Sequence, residues 1–86
     1  LTFTSWYAAP VCSPSRAALL TGCYPRRVGL SFGSWHPVLM PGDWHGLNPA
    51  ETNIAKLLRA RGYRTGCIGK WHLGDQPEFL PTRQGF

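Results

Sequence analysis

Two proline–glycine brackets constrain this chain most, one from Pro14 to Gly22 and one from Pro49 to Gly62. Proline suits the first helical position, where its missing N–H is not needed, and glycine suits the left-handed residue that stops a helix. In the first bracket Ser13 is the candidate N-cap and Pro14 the first helical residue. Ala17, Ala18, Leu19 and Leu20 are good helix formers, so the spacing predicts a helix over about 13–21. In the second bracket Asn48-Pro-Ala-Glu51 reads as cap, first residue and the glutamate of a capping box. Ile54, Leu57 and Leu58 follow at helical spacing, which predicts a helix over about 49–61 whose apolar stripe faces a sheet or another helix.

Around these helices the signals change. Tyr24-Pro-Arg-Arg-Val-Gly29 is a turn-rich exit, and Gly33, Pro37, Pro41, Gly42 and Gly46 break any periodicity after it. A long loop over about 24–47 follows, and such loops are functional or disordered. Its aromatics Phe32, Trp35 and Trp44 argue against disorder and for packing or, less so, substrate contact. Residues 63–68 are β-prone and lead into Gly69-Lys-Trp-His-Leu-Gly74, so helix, short strand and a polar strand end make an αβ unit. In open α/β sheets ligands bind outside such strand ends. Residues 1–7 read as a further strand whose Phe3, Trp6 and Tyr7 need partners, and residues 80–86 carry loop chemistry. The reading is an internal excerpt of a longer domain.

Composition excludes several classes. The 86 residues suffice for one small domain with a modest core. Cys12, Cys23 and Cys67 are an odd count without a C-x-x-C pair, and His36, His45 and His72 lack zinc spacing. Neither a closed disulfide framework nor a structural zinc fits. The net charge of +5 comes from scattered residues, with Arg59, Arg61 and Arg64 placed to complement the second helix's dipole. That pattern suits a small anionic ligand, or simply an excerpt lacking its acidic remainder, more than a nucleic-acid module. No signal-peptide pattern or apolar run long enough for a membrane span is present.

Two stretches carry chemistry. Cys12 stands one residue before the predicted helix, beside unpaired N–H groups that attract anions, or else is a packed free thiol. Lys70 and His72, two apart in an extended segment, share one face, as an anion-binding and proton-transfer pair or as a solvated lysine beside a packed histidine.

Cys12-Ser-Pro-Ser-Arg-Ala-Ala-Leu-Leu-Thr-Gly22 resembles the first signature of the type I sulfatases, C-x-P-S-R-x-x-L-x-T-G. Gly62-Tyr-Arg-Thr-Gly-Cys-Ile-Gly-Lys-Trp-His-Leu-Gly74 resembles the second, G-Y-x-T-x-x-x-G-K-W-H-L-G. The look is closest to the arylsulfatase A and N-acetylgalactosamine-6-sulfatase branches. The resemblance implies an α/β, alkaline-phosphatase-like sulfatase fold, of which this chain is an N-terminal-region excerpt. It implies a sulfuric ester hydrolase acting on a sulfated small molecule or glycan in a periplasmic, secreted or lysosomal setting. A related phosphoesterase or phosphonate hydrolase, or a non-catalytic sulfatase-like glycan-binding protein, are the alternatives.

By the same resemblance Cys12 is oxidised to Cα-formylglycine by a formylglycine-generating enzyme that reads Cys12, Pro14 and Arg16. One hydroxyl of the aldehyde hydrate attacks sulfur and expels the alcohol; the second expels sulfate from the resulting hemiacetal. Arg16 holds the hydrate, Lys70 contacts it and the sulfate, and His72 bonds its hydroxyl and serves as base. Ser15 and Thr21 are assigned local hydrogen bonding. One calcium ion is implied, with the formylglycine oxygen from Cys12 as a ligand and the acidic ligands outside the chain. Asp43 and Asp75 match no metal position. The excerpt alone is therefore expected to be inactive.

Overall fold

The structure, a computed structural model, describes residues 1–31 and 37–86. Phe32, Gly33, Trp35 and His36, named above, lie outside the described residues. Helix α1 spans Cys12–Thr21 and helix α2 spans Ile54–Ala60, followed by two 3-10 turns at Pro77–Phe79 and Pro81–Arg83.

Helix α1 starts earlier than its sequence signals predict. Val11, extended at φ −128° and ψ 163°, is the N-cap, and its carbonyl accepts from Ser15 N at 3.1 Å. Pro14 is therefore the third helical residue instead of the first. Proline is tolerated there because no first-turn N–H has an intrahelical partner. Ser13 lies inside the first turn and caps nothing; its side chain is buried and used elsewhere. The stop is where glycine marks it. Gly22 takes φ 68° and donates to Ala18 O at 2.8 Å. Thr21 Oγ1 donates back to Ala17 O at 2.7 Å, the local bond expected of it.

Helix α2 is shorter than the predicted 49–61. Asn48 and Glu51 form a turn instead, with Asn48 Oδ1 accepting from Ala50 N at 2.9 Å and Asn48 O from Glu51 N at 2.9 Å. The true cap is Asn53, whose side chain accepts from Lys56 N at 3.0 Å. Lys56 Nζ folds back onto the carbonyls of Pro49 and Glu51, which holds the turn against the helix. Beyond Ala60, Gly62 N donates to Arg59 O and Tyr63 N to Leu58 O, the paired bonds of a Schellman stop.

The apolar stripe of α2 faces outward. Ile54 is 51% exposed and Leu57 57%, while Ala55 is the buried residue of the helix. The side turned inward meets the segment around Gln84 and Gly85, where Asn53 Nδ2 donates to Gln84 O at 3.0 Å. Residues 63–68 take no helix, and among the described residues no strand forms. A strand exists only through a neighbour's hydrogen bonds, and no described segment offers them. The same holds for residues 1–7, where Phe3 and Trp6 meet edge-to-face at 5.1 Å and both stay exposed. Trp44, expected to pack, is 65% exposed and lies over the His45 ring at 3.8 Å between centroids.

The core joins Ala17 of α1 to Val28, Leu30, Leu39, Leu47 and Leu73 from the loops, with Leu20, Cys23 and Trp71 against it. Fully burying a leucine such as Leu47 or Leu73 contributes about 1.5–3 kcal/mol. Leu47 N also donates to Leu73 O at 2.8 Å, so the long loop is bonded as well as packed to the segment carrying Lys70 and His72.

Candidate active site

Cys12 opens α1 as its first residue, half-buried, at the helix end whose unpaired N–H groups carry partial positive charge. Arg16, four residues on, lies on the same face of the helix. Arg16 Nη1 donates to Lys70 O at 2.5 Å. This bond spans 54 residues and ties the first stretch to the second. The guanidinium is a fixed fork of donors, so one arm can hold a carbonyl while others remain for oxygens of an anion.

Lys70 is exposed, and its Nζ has no hydrogen-bond or ion-pair partner among the described residues. Trp71 turns into the body of the protein, donating Nε1–H to Phe79 O at 3.0 Å and meeting Phe86 edge-to-face at 5.8 Å. His72 bonds the Leu39 carbonyl through Nε2 at 2.7 Å, while Nδ1 is buried without a partner among the described residues. Its backbone takes φ 59°, left-handed for a residue with a Cβ. Regular alternation therefore breaks at His72. Lys70, Trp71 and His72 all line one cavity of about 400 Å³, whose apolar wall includes Met40, Pro41 and Leu80.

The two aspartates serve the loops. Asp43 Oδ2 accepts from Met40 N at 2.7 Å, and Asp75 Oδ2 accepts from Gly42 N at 2.6 Å. Among the described residues no group of three His, Cys, Asp or Glu side chains can hold a metal ion. Glu51 pairs with exposed Arg27 at 2.7 Å, and that hydrogen bond, with the carboxylate's charge, holds the guanidinium above its usual pKa. An ion pair this exposed contributes little to stability.

The structure thus links Arg16 to the Lys70 backbone and seats His72 on Leu39, while Cys12 Sγ makes no hydrogen bond with a described residue. The partners that sequence reasoning missed are the Leu39 carbonyl and Ser13 Oγ, which accepts from Leu39 N at 3.3 Å. Every residue has a carbonyl, so no pattern could have marked Leu39. Ser13 was visible, but its position read as a cap.

Comparison with known proteins follows the same residues. The family model described as Sulfatase matches residues 1–86. The chain belongs to the sulfatase family. It is 52% identical over 89 residues to arylsulfatase A of Homo sapiens, covering 100% of this chain and 17% of that protein. It is 43% identical over 93 residues to N-acetylgalactosamine-6-sulfatase of Sus scrofa, again covering 100% of this chain and 17% of the relative. Its fold matches the crystal structure of Ps i-CgsB in complex with k-i-k-neocarrahexaose with a TM-score of 0.77 at 42% identity. That match covers 90% of this chain and 16% of the other. This member of the sulfatase family therefore spans about a sixth of the length of the relatives it matches. Among the described residues, no helix is long and apolar enough to cross a membrane.

Proposed function

We propose that the protein to which this chain belongs is a sulfuric ester hydrolase of arylsulfatase type, with Cys12 converted to Cα-formylglycine by a formylglycine-generating enzyme. The observation that carries the reading is the Arg16–Lys70 bond, which joins the two sulfatase signatures beside the helix end that bears Cys12. A formylglycine hydrate at that position supplies two geminal hydroxyls, one to attack sulfur and one to release sulfate. Arg16 then holds the hydrate, and Lys70 contacts it and the sulfuryl group, where preorganised cations offset charge gathering in the transition state. His72 manages the proton of a formylglycine hydroxyl, and half-buried Trp71 packs the segment in place.

The reading includes an α/β sheet built with parts of the protein beyond this chain, against which residues 63–68 and the exposed face of α2 pack. It also includes one calcium ion, to which the Cys12 position gives one oxygen. The described residues alone do not make a calcium site. The substrate is a sulfated small molecule or glycan.

Co-expression of the full protein with a formylglycine-generating enzyme tests the proposal. Peptide mass spectrometry is expected to show the Cys12 thiol replaced by the aldehyde or its hydrate. Sulfate release from an aryl sulfate is expected to scale with that conversion and to vanish in Cys12→Ala. Full activity with Cys12 wholly unmodified refutes the nucleophile, and hydrolysis of phosphate esters in place of sulfate esters refutes the substrate class.

A further inference from the structure

Ser13 has no helix end to cap. Its side chain is fully buried, with 0% of the residue exposed, one position after Cys12. Its Oγ accepts from Leu39 N at 3.3 Å, and the carbonyl of the same Leu39 faces His72 Nε2 at 2.7 Å. A carbonyl oxygen only accepts, so Nε2 must carry the proton of that bond. In the neutral ring the lone pair then sits on Nδ1, the nitrogen left buried and unpartnered among the described residues. The backbone supports the same orientation. A left-handed φ of 59° at a histidine costs free energy and persists only where its surroundings hold it. Here Leu73, fully buried and bonded through its carbonyl to Leu47 N, supplies that hold from the following residue.

We propose that Ser13 is a positioning residue for His72, acting through Leu39. It connects the turn bearing Cys12 to the loop that orients the imidazole, keeps the Nε2–H tautomer, and leaves Nδ1 as the nitrogen that takes and returns the proton. The signature C-x-P-S-R leaves Ser13's position unspecified, so the sulfatase motif assigns this residue nothing. The inference rests on the reading that His72 handles a proton in sulfate ester cleavage.

The test uses the full protein in two measurements. First, 15N spectroscopy of histidine-labelled protein with Cys12 unmodified is expected to report the Nε2–H tautomer for neutral His72, and a mixture of tautomers in Ser13→Ala. An Nδ1–H tautomer in the unsubstituted protein overturns the inference and needs no variant to fold. Second, rates are measured per formylglycine, with occupancy read by mass spectrometry. Ser13→Ala is expected to lower kcat about 10- to 100-fold at unchanged KM, as when a group orienting a functional imidazole is lost. Ser13→Thr, which keeps the hydroxyl, is expected to restore turnover. Ser13→Ala combined with His72→Ala is expected to be no slower than His72→Ala alone, because both changes remove one function. Additive losses, or unchanged kcat in Ser13→Ala, overturn the inference while leaving His72's role intact. Full turnover in His72→Ala instead overturns that role, and the inference with it.

Discussion

Replacing Gln84 with methionine isolates one buried hydrogen bond that ties the end of this chain to its candidate site. Gln84 is fully buried, and its Nε2 donates to Leu47 O at 2.7 Å. Leu47 N in turn donates to Leu73 O at 2.8 Å, next to His72. Methionine keeps roughly the volume but has no donor, so the Leu47 carbonyl is stranded. A buried acceptor left unpaired costs about 1–3 kcal/mol. The second side-chain contact, Asn53 Nδ2 to Gln84 Oε1, is long at 3.4 Å and adds little; Asn53 keeps its 3.0 Å bond to the Gln84 backbone. The expected loss for Gln84→Met is therefore about 1–3 kcal/mol, and Gln84→Ala adds a cavity term for about 2–5 kcal/mol in all. Urea unfolding of the full protein, followed by tryptophan fluorescence, reads both. Gln84→Glu adds a check of sign. An ionised carboxylate cannot donate to Leu47 O, so this variant should be the least stable at neutral pH and recover as acid returns a proton to the side chain. A Gln84→Met protein within about 0.5 kcal/mol of the parent, the ordinary scatter of uninvolved sites, refutes the reasoning.

Two further outcomes follow from the site. Lys70→Ala should cut turnover about 10²–10³-fold by removing a cation aimed at developing charge. Because Lys70 Nζ has no described partner, stability should stay within about 0.5 kcal/mol, and an equal loss of stability and activity refutes the assignment. Gly74→Ala should destabilise the protein by more than about 1 kcal/mol, since φ is 119° and a Cβ there meets Gly46 Cα at 2.9 Å and the Phe79 side chain. Unchanged thermal melting of that variant would show that the close approach of these loops is not required.

Residue chemistry and short-range signals were legible in the sequence. Both sulfatase signatures stand complete, Gly22 stops α1 where its composition says, and Cys12 and Arg16 share a helix face because they are four apart. Such features depend on neighbours within a turn, which the sequence lists directly. Which residue caps each helix was not legible. Ser13 read as the cap of α1 and Asn48 as the cap of α2, but Val11 and Asn53 take those places. Packing chose in each case. Ser13 was drawn to Leu39, and Asn53 was anchored by Gln84, 31 residues away. The face shared by Lys70 and His72 assumed an extended backbone, and the left-handed turn at His72 broke that assumption. A β-prone segment such as 63–68 becomes a strand only when another strand lies beside it, which no local propensity can provide. The sequence by itself determined which groups are present and which helices begin and end nearby. Only the tertiary structure decided which carbonyl holds His72 and which ring nitrogen is left without a described partner, because those bonds join residues far apart in the chain.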